Sequence, residues 1–297
     1  MYKYYAYGLN IHSEIFLPEL ICKESSVPDI IITLGNVDPF KEVALNEGLY
    51  FRESKNAKYR FWDDIGKFKI SNGNKIIVDP AKSVDKKLLR MYILGTIFAN
   101  LLNQRGLLVL HASAVNINNS VVAFLGSKNK GKSTLALKFY EKGYPIVADD
   151  YIPIQFENSI PFVYTGFPQL KLSQNSLAHS HFNLEKNVKY TSDFEKFYFP
   201  TKRSFTQNNL PLKSIYILER GEKNAIDSLK LQKAFIELTK NNFGITKYNN
   251  KELKRSFIQC KNLIKNVTIH KLTTGDLKNQ HEIVNLVKED IIFSRKN

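Results

Sequence analysis

The sequence predicts an α/β fold with a β-rich N-terminal part. Three observations carry this. Residues 1 to about 85 are rich in short β-branched and aromatic runs broken by Gly and Asn. From residue 107 onward, apolar strands alternate with a helical period. Between one such strand and one such helix sits a Gly- and Lys-rich loop, as in strand–loop–helix α/β units.

In the N-terminal part, Asp29-Ile30-Ile31-Ile32-Thr33-Leu34 reads as a strand ended by Gly35. Phe61-Trp62 and Phe68-Lys69-Ile70 precede Asn72-Gly73-Asn74 and then Lys75-Ile76-Ile77-Val78, and an Asn-Gly pair between such runs signals a hairpin. The period then changes. Leu88, Leu89, Tyr92, Leu94, Ile97, Phe98, Leu101 and Leu102 recur at helical spacing, with Asp85 as cap and Gly106 just past the end. One mostly buried helix over Asp85–Gln104 is expected, joining a β-rich domain of residues 1–104 to a core of residues 105–297.

In the core, Leu107–Leu110 and Val121–Leu125 read as strands, Ser133–Lys142 as a helix ended by Gly143, and Tyr144–Ala148 as a third strand delivering Asp149 and Asp150. Lys213–Leu218 and Val267–Ile269 are further strands. Leu229–Lys240, Lys251–Lys265 and Asp276–Ile291 are expected helices, the second with Leu253, Phe257, Ile258 and Ile264 inward.

The chain of 297 residues can bury one large core or two modest ones. No apolar run nears the roughly 18 residues a membrane helix needs. The start Met1-Tyr2-Lys3-Tyr4-Tyr5 lacks the apolar region of a secretion signal, so a cytoplasmic protein without membrane partners is expected. Cys22 and Cys260 have no metal-ligand spacing and read as idle thiols in a reducing compartment. The net charge of +15 favours anionic partners. The lysines are scattered and no nucleic-acid motif accompanies them, so nucleic acid is not expected. His179-x-His181 has no acid or cysteine at ligand spacing and reads as two surface histidines.

The chemistry concentrates in Gly126-Ser127-Lys128-Asn129-Lys130-Gly131-Lys132-Ser133, followed by Thr134. This matches the Walker A pattern, which a chain of this length meets by chance on the order of 1% of the time. It follows an apolar strand and opens a helix, as the motif requires, making the core P-loop-containing. Gly126 and Gly131 free the backbone to aim N–H groups at phosphate oxygens. Asn129 stands where glycine is common and tolerates a left-handed conformation. The helix start adds its positive end, Lys132 reaches the β- and γ-phosphates, and Ser133 can ligate Mg²⁺. Lys128 and Lys130 either assist or are solvated. ATP with Mg²⁺ is the expected cofactor pair. Asp149 and Asp150 end a strand on the ligand side of the sheet, where a carboxylate holds Mg²⁺ or accepts a hydroxyl proton. His111 ends a strand at the same edge.

These segments together resemble the catalytic core of HPr kinase/phosphorylase: His111-Ala112-Ser113-Ala114-Val115, the Gly126–Thr134 loop, and Val147-Ala148-Asp149-Asp150. The resemblance is strongest to the divergent HPr-kinase-like branch associated with lasso-peptide and related peptide-modification clusters. Tyr7-Gly8-Leu9, Leu17-Pro18-Glu19-Leu20, Asn103-Gln104-Arg105-Gly106 and Gly166–Leu172 share in it. It implies Asp149 as the base, Asp150 as its acidic neighbour near Mg²⁺, His111 beside the transferred phosphate, and Lys202 or Arg203 as a downstream cation, with Arg203 preferred. Ser133, Asp149 and Asp150 would form the metal set. The implied activity is an ATP-dependent serine kinase acting on a protein or peptide, in particular a ribosomally made precursor peptide.

Two features depart from the family. The glutamate of its glycine-rich signature is missing near Gly166–Leu172, which favours the kinase direction over dephosphorylation. Residues 1–85 do not resemble its N-terminal domain. A homo-oligomer stays open, and a non-catalytic nucleotide-binding module that senses or presents a peptide is the alternative reading.

Overall fold

The computed structural model describes residues 1–178, 180, 188–189, 196–244, 250–275 and 280–293. It is a mixed α/β protein with large sheets. The His179-x-His181 pair and the expected helix start at Asp276 lie outside the described residues. The chain divides into two compact units, residues 1–109 with 243–254, and residues 110–242 with 255–297. The sequence expects a single break after residue 104. The return of 243–254 to the first unit is a tertiary event: Glu252 pairs with buried Lys58 at 2.7 Å, an anchor far away in sequence.

The first unit is built on β1 (Tyr2–Ala6), β2 (Leu9–Ser13), β3 (Ile21–Cys22), β4 (Ile30–Leu34), β5 (Asn46–Gly48), β6 (Phe51–Glu53), β7 (Ala57–Trp62), β8 (Gly66–Ser71) and β9 (Lys75–Pro80). They form one sheet in the order β3-β1-β2-β4-β9-β8-β7-β6-β5. The Asn-Gly hairpin forms between β8 and β9, with Asn72 and Gly73 both left-handed and Asn74 N–H donating to Ser71 O at 3.2 Å.

The expected helix over 85–104 is three pieces: α1 (Lys86–Tyr92), a π-helical turn (Ile93–Ile97) and α2 (Phe98–Gln104). Asp85 caps the first through Lys87 and Leu88 N–H. The break falls at Gly95 (φ −92°, ψ −105°), where a residue without Cβ lets the chain leave helical geometry. Gln104 ties α2 to the hairpin by donating to Ile70 O and accepting from Gly73 N–H.

The second unit takes over within β10 (Leu108–Leu110). It contains β11 (Ala112–Ile117), β12 (Ser120–Leu125), α3 (Lys132–Glu141), β13 (Ile146–Ala148), β14 (Ile152–Glu157), β15 (Ile160–Val163), β16 (Gln169–Ser173), α4 (Gln174–Ala178), β17 (Val188–Lys189), β18 (Lys196–Pro200), β19 (Leu210–Arg220), β20 (Ala225–Ser228), α5 (Leu231–Lys240), α6 (Asn250–Asn266, its first turn in the first unit), β21 (Thr268–Thr274) and α7 (Gln280–Phe293).

Strands β13, β11, β12, β19, β21 and β20 lie side by side in that order, and the start of β19 also pairs with β15. A small sheet β16-β18-β17 accompanies them. The sheet is mixed rather than parallel throughout. β11 is antiparallel to both β12 and β13, while β12, β19 and β21 run parallel. Two antiparallel steps restore direction, so β12 and β13 still end at the same edge. The β11–β12 hairpin turns at Asn118-Asn119, both left-handed.

Helix α3 packs between apolar neighbours on several sides. Leu135, Ala136, Leu137 and Phe139 are all buried, with Phe139 against Phe124 at 5.3 Å between ring centroids. Its buried Lys138 is neutralised by Glu141 at 2.9 Å.

The inward face of α6 differs from expectation. Ser256, Cys260 and Leu263 are buried, whereas Phe257 and Ile258 are 39% and 51% exposed. The buried residues follow 4- and 3-residue steps that Val267 continues, and Phe257 stacks instead on Phe235 of α5 at 5.8 Å. Among the described residues no helix is long and apolar enough to cross a membrane.

Candidate active site

The site is assembled by strand register. Ala112 pairs with Leu125, so His111 stands level with Gly126. Ala114 pairs with Ala148, so Ser113 stands level with Asp149. Three strand ends therefore deliver a histidine, a serine, the Gly-rich loop and two aspartates to one edge of the sheet.

The loop leaves β12 at Gly126 with φ +152°, a value L side chains rarely adopt. A Cβ there would lie 3.2 Å from Leu218 O of β19, so the loop leans on the neighbouring strand. Asn129 is left-handed (φ +67°), the conformation expected of an asparagine standing in for glycine. Gly131 (φ +94°) caps α3, and Leu135 N–H donates to its carbonyl at 2.8 Å. The ammonium of Lys132, 7% exposed, folds across the loop and donates to Gly126 O at 2.8 Å and Ser127 O at 3.3 Å. Thr134 Oγ1 joins Ser176 Oγ at 2.7 Å, and that hydroxyl meets Ser173 Oγ at 2.8 Å.

The two aspartates have different surroundings. Asp149 accepts at Oδ1 from Ser113 Oγ (2.5 Å) and Ser133 Oγ (2.9 Å), and at Oδ2 from Lys171 N–H (2.7 Å). Burial raises its proton affinity above the usual carboxylate range. The bonds from Ser113, Lys171 and Ser133 pull the other way without overcoming it, and the nearby Asp150 charge adds to the rise. Asp150 is left-handed (φ +71°), and its carboxylate meets different partners. Its oxygens lie 3.4 Å from His111 Nε2 and 3.4 Å from Lys171 Nζ. Burial alone would raise its pKa, but the Lys171 charge and the hydrogen bond from His111 outweigh it and hold the carboxyl low. With 29% of its side-chain surface exposed, Asp150 is partly screened by water. The pair is thus split into one carboxylate that keeps affinity for a proton and one that stays ionised, a division typical of acid–base sites.

The structure brings His111, Lys132, Ser133, Asp149 and Asp150 together, and it does not bring Arg203. Phe205 bridges to Ile146 in parallel, so Arg203 lies beyond the start of β13, at the end away from Asp149. Its charge acts on Tyr140, near the C-terminal end of α3. Lys202 and Arg203 are both exposed.

The cation in contact with the aspartates is Lys171. Its residue sits within the Gly166–Leu172 segment, but no local spacing marks its role. Ser113 was equally hidden inside the His111–Val115 run. The Asn118-Asn119 turn signals the β11–β12 hairpin, but Ser113 reaches Asp149 through the β11–β13 pairing, which no local signal marks.

Among the described residues no three His, Cys, Asp or Glu side chains cluster as a metal site. Mg²⁺ needs fewer protein ligands, since it keeps waters and takes phosphate oxygens alongside one or two hard oxygens. Ser133 Oγ and the Asp149 carboxylate, already 2.9 Å apart, are a donor pair of that kind.

No protein-family model matches the chain, and no curated protein matches it. Among solved structures it is similar to the Hpr(Ser) kinase/phosphatase from Coxiella burnetii, at 12% identity and a TM-score of 0.33, over 63% of this chain and 98% of that one.

Proposed function

We propose that this chain binds ATP with Mg²⁺ in the Gly126–Thr134 loop and transfers the γ-phosphate to a hydroxyl of a protein or peptide. The observation that carries the reading is the Ser133–Asp149 contact at 2.9 Å. It puts a carboxylate of raised proton affinity beside the loop residue that, in a Walker A loop, ligates the Mg²⁺ of the β- and γ-phosphates.

On this reading the loop N–H groups and the α3 N-terminus cradle the phosphates, and Lys132 exchanges its loop carbonyls for β- and γ-oxygens. The acceptor hydroxyl gives its proton to Asp149 as its oxygen bonds to the γ-phosphorus. The bond from γ-phosphorus to the β–γ bridging oxygen breaks, and ADP leaves. Asp149 is the base because Asp150 is held ionised by Lys171 and His111 and is the weaker proton acceptor. Lys171 balances the charge that builds on the transferred group, and His111 offers it a hydrogen-bonding ring nitrogen. Ser133 would hold Mg²⁺, which supplies neutralisation of the phosphate oxygens.

The sequence resemblance supports a serine acceptor, a ribosomal precursor peptide of the lasso type as substrate, and the forward kinase direction. The net charge of +15 suits an acidic peptide.

The test is transfer of ³²P from γ-labelled ATP to serine-containing precursor peptides. Transfer is expected with wild type and lost by about 10² or more in Asp149→Asn and Lys132→Ala. ATP binding without transfer to any such peptide would instead support the non-catalytic nucleotide-binding module. One observation favours that second reading: Asp149 already accepts three hydrogen bonds, which an acceptor hydroxyl must displace or share.

A further inference from the structure

We propose that the adjoining ends of β19 and β21 form the nucleoside side of the site, with the Arg220 guanidinium stacking on the base. This rests on the reading of Gly126–Thr134 as an ATP loop.

Direction decides where the nucleoside goes. Ser133 and Asp149 mark the γ-phosphate end, and Asp149 reaches the loop from the β11–β13 flank. A nucleotide with its γ-phosphate there and its β-phosphate in the loop extends its nucleoside to the opposite flank, over β19 and β21.

That flank is in contact with the loop. β19 runs parallel to β12, with Ile217 opposite Leu125, so Arg220 lies two residues past the level of Gly126, where the loop begins. Its Nη2 donates to Asn129 O at the loop tip at 3.4 Å. Behind it the backbone is tightly knit. Gly221 N–H donates to Thr274 O at 3.1 Å, and Gly275 N–H donates to Asn224 Oδ1 at 2.9 Å. A Cβ on Gly275 would come within 2.9 Å of Glu222 O. The two strand ends thus make a close-packed backbone shelf next to the loop, with an exposed guanidinium on it.

Among the described residues the Asn129 carbonyl is the one hydrogen-bond partner of Arg220, although the side chain has five N–H donors and a flat cationic face. A planar face suits a heteroaromatic ring, and stacking of this kind tolerates any base while giving nothing to a bare phosphate chain. The ligand class is therefore a nucleoside triphosphate in which the base itself contributes affinity.

The experiment is calorimetric titration of ATP and of inorganic tripolyphosphate, each with Mg²⁺, into wild type, Arg220→Ala, Arg220→Lys and Lys132→Ala, with melting temperatures as a folding control. Arg220→Ala is expected to weaken ATP about three- to tenfold, and tripolyphosphate by less than about twofold. Arg220→Lys keeps the charge without the flat face, so it should leave tripolyphosphate unchanged and ATP still weakened. Unchanged ATP affinity in Arg220→Ala, or equal weakening of both ligands, overturns the inference while leaving the loop reading intact. Absence of binding by wild type, or binding untouched by Lys132→Ala, overturns the loop reading and this inference with it.

Discussion

Replacing Gly126 by Ala tests the backbone of the loop directly. At φ +152° an L residue pays backbone strain of about 1–3 kcal/mol. The new methyl would also stand 3.2 Å from Leu218 O, 3.4 Å from Lys130 Cβ and 3.5 Å from Leu218 Cβ, so strand or loop must yield by tenths of an ångström. Together these give a loss of about 2–4 kcal/mol, or about 5–10 °C in the melting of a unit this size. The relaxed loop no longer aims its N–H groups inward, so ATP affinity falls at least about tenfold. Gly143→Ala is the internal control. Gly143 is also left-handed (φ +86°), but a Cβ there meets nothing within 4 Å, so about 1 kcal/mol of strain and unchanged ATP binding are expected. Scanning calorimetry and ATP titration of both variants read the difference. Equal costs for the two, or wild-type ATP affinity in Gly126→Ala, would refute the reasoning.

Ser113→Ala removes a hydrogen bond that lowers the proton affinity of Asp149, so the acidic limb of the phosphotransfer pH profile should move to higher pH. Activity then falls most below neutrality, ATP affinity stays within about twofold, and an unmoved limb would count against Asp149 as the base. Glu42 accepts from Ser54, Lys69 and Tyr59, which push its pKa down to about 2. A depressed carboxyl stabilises the fold fully above its unfolded value and loses that contribution as pH falls toward 2. Glu42→Gln should therefore cost about 1 kcal/mol at pH 7, the figure for a partly exposed, screened group, and should flatten the acid limb of stability. Fluorescence of Trp62, the single tryptophan, which lies in the same unit, follows this in urea. Cys22 is exposed, while burial pushes the Cys260 thiol up to about 11. A thiol reagent at pH 8 should titrate one cysteine in the native chain and two in guanidinium; two in the native chain would contradict the packing of α6.

What was legible in the sequence was local. The strand into Gly126, the helix out of Gly131, the left-handed Asn129, the Asp85 cap and the Asn72-Gly73 turn all follow from residue types at short spacing. His111, Asp149 and Asp150 were legible as strand ends, and register brings them together. The rest depended on contacts far apart in sequence. Lys171 reaches Asp150 only because its segment passes the end of β13, where Gly166 N–H bonds Val147 O. Arg203 looked equivalent as a basic residue downstream, yet the Phe205–Ile146 bridge fixes it at the wrong end of that strand. Arg220 carries no motif and gains its position from the parallel register of β19 on β12. The break at Gly95 and the buried face of α6 were misjudged because helical period alone does not say which side the neighbouring elements cover.

The central claim is that the Gly126–Thr134 loop holds the phosphates of ATP through Lys132 and Ser133. Equilibrium titration of ATP into wild type and Lys132→Ala, with Mg²⁺ and then with chelator, tests it most directly. The account predicts binding by wild type that weakens at least about tenfold in Lys132→Ala and weakens again when the metal is removed. Binding that ignores both changes, or no binding by wild type, would contradict it.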